Sequence, residues 1–176
     1  MTVDQLEVRR VDPADPLTGP MMAELTHEYV TRYGEGAHQE MSRYPTEVFR
    51  PPDGTLLLLL ENGEPIAGGA FKRYDERTAE LKRIWTGSAH RRRGLGRRVV
   101  AELEREAVAL GYRRLYLTTG PRQPEAKGLY LVLGYTPLFD VSADPLTIGP
   151  LPFEKSLPID EHQPFEKHPP FDRTPT

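Results

Sequence analysis

The sequence contains no cysteine and a single tryptophan among its 176 residues. Without cysteine the chain forms neither a disulfide framework nor a thiolate metal site. Long hydrophobic runs are also missing, because the apolar run at 56–60 is far shorter than the roughly 20 residues of a membrane-spanning helix. No signal-peptide pattern opens the chain. We therefore expect a cytoplasmic protein that has no membrane partner.

A strong excess of charge of either sign is missing as well. The chain has 23 Lys and Arg against 26 Asp and Glu, a net charge of −3, which argues against a general nucleic-acid surface. The histidines are scattered without ligand spacing, so no metal site is predicted. They are His27, His38, His90, His162 and His168. The length and the 38% hydrophobic share suit one domain with a real core.

The most informative stretch joins a predicted strand, an Arg/Gly turn and a long helix over residues 78–110. Its turn runs from Arg91 to Gly96, and apolar residues then recur at helical spacing. Backbone N–H groups and the positive helix end converge above such a turn, which predicts an anion site. The absence of a GKS or GKT ending argues against a nucleotide-triphosphate loop, and the lack of a third glycine argues against a dinucleotide fold. We expect a pyrophosphate held largely by amides.

The remaining pattern predicts an ordered series of strands and helices. Apolar alternation and buried runs predict strands at 6–11, 54–61, 65–74, 79–83, 113–119, 135–140 and 151–157. Helical spacing predicts helices at 20–33, 97–110 and 125–133. Asn62-Gly63 predicts a hairpin turn, and Gly68-Gly69 suggests a bulge or close packing. The short link after the long helix implies a parallel neighbour for the strand at 113–119, whereas 37–53 reads as a short helix or an irregular crossover.

Three blocks in this order resemble the GNAT superfamily of N-acetyltransferases. The turn matches R-x-x-G-x-G through Arg91, Gly94 and Gly96, and 79–83 looks like the strand that precedes it there. Residues 123–135 are similar to the family's N-x-x-A-x-x-L-Y-x-x-x-G-F segment, with Gln123 replacing Asn and Tyr135 replacing Phe. The resemblance implies an α/β (α+β) fold: a mixed, mostly antiparallel sheet of six to seven strands with helices on both faces, splayed between the fourth and fifth strands.

The resemblance also implies the cosubstrate acetyl-CoA and the residues that hold it, without a metal. Those residues are Ile84, Trp85, Thr86, Arg91, Arg92, Arg93, Gly94, Leu95, Gly96, Arg97, Gln123, Ala126 and Tyr130. On the acceptor side the candidates are Tyr29, Tyr33 and Trp85, although Trp85 could equally be a core aromatic. His27, Glu28 and Arg32 read as a solvated helix face.

Acetyl transfer to an amine needs a base for the amine and a proton for the departing thiolate. Glu80 occupies the strand position of the family base and could act directly or through water; the alternative is a strand carboxylate paired with Lys82 or Arg83. Tyr130 matches the family tyrosine near the sulfur and is the candidate acid; the alternative is a packed core tyrosine.

The predicted function is transfer of an acetyl group from acetyl-CoA to a primary amine of a small molecule or an exposed peptide amino group. The alternative is a non-catalytic acyl-CoA-binding sensor or assembly module. We expect residues 1–158 to form the domain and the Pro-rich charged tail at 159–176 to be either disordered or anchored by its phenylalanines. A homodimer is compatible with the sequence, and no motif names the acceptor.

Overall fold

The structure is a computed structural model that describes residues 6–36 and 45–158. Its strands are β1 (Glu7–Arg10), β2 (Thr55–Glu61), β3 (Glu64–Arg73), β4 (Thr78–Thr86), β5 (Arg114–Thr119), β6 (Thr136–Pro137) and β7 (Leu151–Ser156). The helices are α1 (Gly19–Tyr33), α2 (Leu95–Ala109), α3 (Pro124–Val132) and the short α4 (Pro145–Ile148). Within the described ranges the strands form one sheet in the order β1-β2-β3-β4-β5-β7-β6.

The first four strands form an antiparallel meander. Asn62 and Gly63 connect β2 to β3 with φ of 52° and 80°, the backbone that a type I′ hairpin turn requires. The register between β3 and β4 shifts between Gly68 and Ala70, where Arg83 of β4 has a left-handed φ of 58°. The irregularity predicted at Gly68-Gly69 is therefore confirmed as a bulge.

Strands β4 and β5 run parallel but pair over a short length only. The pairs are Thr78 with Arg114, Ala79 with Leu115 and Glu80 with Tyr116. Beyond Glu80, β4 continues to Thr86 with no further register pair to β5, while β5 pairs with β7 on its other edge. The sheet therefore splays between its fourth and fifth strands, as the resemblance implied.

Helices cover both faces of this sheet. On one face, α2 packs Val99 and Leu103 against Leu57 and Leu59 of β2. On the other, α1 packs with Leu56, Leu58 and Leu60 of the same strand. Strand β2 alternates between two cores, which explains its continuous apolar run. Trp85 and Phe49 belong to the second core.

The structure differs from the predicted elements near the C-terminal end. The predicted strand at 135–140 is only the two-residue β6, and the predicted loop at 141–150 contains α4. Asp144 caps α4 through a 3.0 Å hydrogen bond accepted from the Leu146 N–H, a local interaction that an apolar-pattern reading does not detect. In the crossover, Thr46–Phe49 is a 3-10 turn. Residues 37–44 and the tail at 159–176 lie outside the described residues, so the domain boundary stays a prediction.

None of the helices in the described part of the chain has the length and apolar character needed to cross a bilayer.

Candidate active site

The divergence of β4 and β5 opens a cleft of about 1150 Å³. The ends of the two strands, the first turn of α2, the C-terminal half of α1 and helix α3 form its walls. Most of the predicted site residues line it together: Tyr29, Tyr33, Ile84, Thr86, Arg91, Arg92, Gly94, Leu95, Gly96, Arg97, Gln123, Ala126 and Tyr130. Glu80, Trp85 and Arg93 are not among the described residues that line the cleft.

The turn before α2 has the backbone of an anion site. Arg92 and Gly94 both have a left-handed backbone, with φ of 63° and 73°, and such turns let successive N–H groups point into one concavity. The first helical bond runs from the Arg98 N–H to the Gly94 carbonyl at 3.1 Å. The N–H groups of Leu95, Gly96 and Arg97 therefore have no acceptor within the helix, and they form the positive end of its dipole.

Arg93 departs from its neighbours in the turn. Its guanidinium contacts the Glu61 carboxylate and lies 3.0 Å from His90 Nδ1. These contacts draw the side chain away from the cleft that Arg91 and Arg92 line. Arg93 thus serves to anchor the turn onto the end of β2, a role that the R-x-x-G-x-G spacing alone does not distinguish.

Trp85 and Glu24 link α1 to the end of β4. The Trp85 indole is buried in the second core and donates from Nε1 to Glu24 Oε1 at 3.2 Å. Glu24 Oε1 also accepts from the Ser88 N–H at 3.0 Å. Although burial opposes it, hydrogen bonds from Ser88 and Trp85 and the charge of Arg91 lower the pKa of Glu24. Sequence reasoning missed Glu24, because its partners lie more than 60 residues away along the chain.

Glu80 is the last residue of β4 that pairs with β5. It is 6% exposed, and its carboxylate lies 3.2 Å from Lys72 Nζ and 3.6 Å from Lys82 Nζ. The Lys82 contact is the pairing considered as an alternative to a catalytic role, and Lys72 of the neighbouring strand adds a second. Lys82 itself lines the cleft, so the ion pair connects Glu80 to the cleft wall.

Tyr130 of α3 lines the cleft but is only 4% exposed. Its ring packs against Tyr135 and Phe153 at centroid distances of 5.4 and 5.8 Å. Burial, together with the neighbouring Tyr29, raises the pKa of the Tyr130 hydroxyl. The hydroxyl therefore stays protonated at neutral pH and is a donor at the cleft surface.

Two polar side chains near the end of β5 have contrasting partners. Gln123 Oε1 accepts from the Gly120 N–H at 2.9 Å, so this oxygen supports the loop. Thr119 also lines the cleft and is 6% exposed. Its Oγ1 is the one buried side-chain polar atom without a hydrogen-bond partner in the described part of the chain. Buried hydroxyls usually have a hydrogen-bond partner, and a polar ligand in the cleft would provide one for Thr119.

The C-terminal end of α1 bridges the cleft to the loop after β5. Tyr33 accepts from the Arg122 N–H at 3.2 Å, and Arg32 donates from Nη1 to the Arg122 carbonyl at 2.5 Å. Arg32 also pairs with Glu28 at 2.9 Å and with Glu125 at 3.5 Å. Of the helix face predicted to be solvated, His27 is exposed, whereas Glu28 and Arg32 are partly exposed and line the cleft.

Comparisons with known proteins identify the family to which this chain belongs. The model of the Acetyltransferase (GNAT) family matches residues 21–135. This chain belongs to the GNAT family. It is 30% identical over 140 residues to the uncharacterized N-acetyltransferase YsnE of Bacillus subtilis (strain 168), an alignment that covers 76% of this chain and 93% of YsnE.

Solved structures share the fold of this GNAT protein. An acetyltransferase from Thermus thermophilus has a TM-score of 0.63 and 25% identity, covering 89% of this chain and 100% of its own. The PaiA N-acetyltransferase from Thermoplasma acidophilum, solved in complex with coenzyme A, has a TM-score of 0.68, 16% identity and coverage of 89% and 99%. Both the predicted family and the predicted fold are confirmed, and the family membership makes this chain an acyltransferase enzyme.

Proposed function

We propose that this GNAT protein transfers the acetyl group of acetyl-CoA to a primary amine of a small molecule or to an exposed peptide amino group. The observation that carries the proposal is the cleft, since one continuous space joins the anion turn to Tyr130. The PaiA structure was solved with coenzyme A bound, which is consistent with this ligand. A non-catalytic sensor has no observation in its favour beyond those that an enzyme also explains.

The described residues fit coenzyme A along the length of the cleft. The amides of Leu95, Gly96 and Arg97 suit a pyrophosphate, and the free edge of β4 at 84–86 suits the pantetheine amides, because amide pairs extend a sheet edge as a strand does. Thr119, whose hydroxyl is buried without a hydrogen-bond partner among the described residues, lines the same space. Arg91, Arg92 and Arg97 add positive charge, whereas Arg93 is already paired with Glu61.

Tyr130 is the proposed acid. The amine nitrogen forms a bond to the acyl carbon, the bond from that carbon to sulfur breaks, and the sulfur leaves with the electron pair. The sulfur then needs a proton, which the buried Tyr130 hydroxyl is able to supply. Desolvation raises the pKa of the phenol, which keeps Tyr130 protonated until the sulfur leaves, and it raises the proton affinity of a thiolate beside it in the same way.

Glu80 is the proposed base, acting through water. Its carboxylate lies behind the cleft wall, so water has to connect it with the amine. The contacts with Lys72 and Lys82 hold the carboxylate oxygens in a defined position beside the start of the splay. The proton that the amine loses would pass to Glu80 and then to bulk solvent.

The experiment that tests the function is a thiol-release assay with acetyl-CoA and a panel of primary amines, with the acetylated product identified by mass spectrometry. We expect amine-dependent thiol release well above the hydrolysis seen without amine. Calorimetry with CoA runs in parallel. CoA binding combined with no thiol release over the whole panel would contradict the proposed transfer and favour the sensor.

A further inference from the structure

Arg83 is a cation of the cleft wall whose charge has no counter-ion in the described ranges. Its side chain is half-buried and lines the cleft. The guanidinium carbon lies 4.4 Å from the centre of the Phe49 ring. Burial lowers the pKa of Arg83, and no carboxylate among residues 6–36 and 45–158 opposes the effect, although a guanidinium stays charged in a protein. A charge taken partly out of water without a partner costs stability unless something else in the site uses it.

Two other cations of the cleft lining have carboxylate partners. Arg32 pairs with Glu28 and Glu125, and Lys82 pairs with Glu80. Arg83 therefore remains as a cation of the cleft lining whose charge a bound anion would neutralise. The guanidinium carbon lies over the Phe49 ring, and this cation–π contact does not neutralise the charge. The planar fork of a guanidinium suits the planar, two-oxygen geometry of a carboxylate.

The position of Arg83 separates it from the proposed pyrophosphate site. It lies on the α1 side of the sheet with Phe49 and Leu25, whereas Ile84 packs against the α2 core. The bulge opposite Gly68 and Ala70 produces this reversal, because it inserts an extra residue whose φ is 58°. An arginine rarely adopts that conformation, and here it brings a cation to the end of the cleft nearest Glu80. The anion turn lies beyond the other end of β4.

From these contacts we propose that Arg83 binds a carboxylate of the acceptor, so that the natural acceptor is an amine that carries a carboxylate group. This inference rests on the proposed acetyl transfer and names the substrate class of the same cleft. Arg83 is a specificity residue: its charge holds the end of the acceptor away from the amine, and it takes no part in moving the proton. Glu28, an acidic residue of the same cleft lining, is paired with Arg32.

The test compares acceptors that differ only in the carboxylate. The pairs are L-methionine with L-methioninamide and β-alanine with β-alaninamide, and O-phosphoethanolamine with ethanolamine tests a phosphate in its place. A hydrogen-bonded ion pair lost to an uncharged group corresponds to about a tenfold to a hundredfold change. We expect kcat/KM for at least one carboxylate to exceed that of its amide by tenfold or more. The amine of an amino amide is less basic, so this difference opposes the expected preference.

Arg83→Asn is the informative variant, because asparagine tolerates a left-handed backbone and lacks the charge. We expect the carboxylate preference to fall to within about threefold, mainly through KM, while the KM for acetyl-CoA changes little. Arg83→Lys keeps the charge without the planar fork and should retain part of the preference. Arg105→Gln is the control: it removes one exposed arginine of α2 that lies outside the cleft lining and should keep the full preference.

The outcomes separate this inference from the proposed function. If amines are acetylated but the amides or ethanolamine are preferred, acetyl transfer stands and the inference is overturned. A preference for phosphoethanolamine over both carboxylates also overturns it, as does an Arg83→Asn variant that loses acetyl-CoA affinity and keeps its acceptor preference. If no amine is acetylated, the proposed function fails, and calorimetry with CoA-saturated protein decides the inference: tenfold tighter binding of a carboxylate than of its amide supports it, and equal binding overturns it.

Discussion

Gly96→Asp should separate the stability of the anion turn from its capacity to bind CoA. Gly96 lies in the first turn of α2, and a Cβ built there meets Leu129 Cδ2 at 3.5 Å and Thr86 Oγ1 at 3.7 Å. These are ordinary van der Waals distances, so a side chain fits without a shift of the backbone. A carboxylate near a helix N-terminus is favourable by about 0.3 to 1 kcal/mol. We therefore expect the free energy of unfolding to stay level or to rise slightly.

The effect on binding has the opposite sign, because the new carboxylate stands beside the amides proposed to hold the pyrophosphate. Two unit charges about 6 to 8 Å apart interact by about 2 to 3 kcal/mol at an effective dielectric constant of about 20. Salt screening reduces this repulsion. A net loss of about 2 kcal/mol corresponds to about thirtyfold weaker CoA binding.

Isothermal titration calorimetry with CoA measures the affinity, and urea unfolding measures the stability. Gly96→Asn is the matched control, since it adds nearly the same volume without charge. We expect the asparagine variant to weaken CoA binding less, and the gap between the two variants to widen at low ionic strength. Gly94→Ala provides a contrast on stability, because Gly94 has a φ of 73° and an alanine there should cost about 1 to 2 kcal/mol.

A folded Gly96→Asp protein with wild-type affinity for CoA would refute the assignment of the pyrophosphate to this turn. Equal losses in the Asp and Asn variants would refute the electrostatic part of the reasoning and leave steric exclusion as the cause.

Three further predictions concern the chemistry of the cleft. Tyr130→Phe should lower kcat about a hundredfold while the acetyl-CoA affinity, measured by calorimetry, stays within about threefold, because a proton donor acts in the transition state; full activity would make Tyr130 structural. Glu80→Gln should lower kcat/KM about a hundredfold at neutral pH and recover partly at high pH, where solvent supplies neutral amine. Urea unfolding controls for the lost contacts with Lys72 and Lys82, and a folded variant with wild-type activity at neutral pH would rule out the base role. Thr119→Val should raise the free energy of unfolding by about 1 kcal/mol, since it removes an unpartnered buried hydroxyl. The same variant should weaken CoA binding about twofold to tenfold in calorimetry. Unchanged binding would exclude the hydroxyl as a ligand contact.

The sequence by itself determined most strands and the three longer helices of this protein, together with the place of its anion turn. Local rules suffice for these features, because hydrophobic periodicity, Asn62-Gly63 and the glycines before α2 each act within a few residues. The parallel pairing of β4 and β5 also followed from chain connectivity, since the link after α2 is too short for any distant strand. The predictions were least accurate after α3, where a loop was predicted and the structure has the short helix α4, capped by Asp144.

Only the tertiary structure decided what each side chain of the site contacts. The arginines of β4 and of the turn look alike in the sequence, yet Arg93 is drawn to Glu61 and Arg83 is turned onto Phe49 by the bulge. Trp85 is held in the second core by Glu24, 61 residues earlier, which accepts its N–H. Such contacts join residues from distant parts of the chain. Their geometry depends on how the sheet twists, bulges and splays, and no pattern within a single segment contains that information.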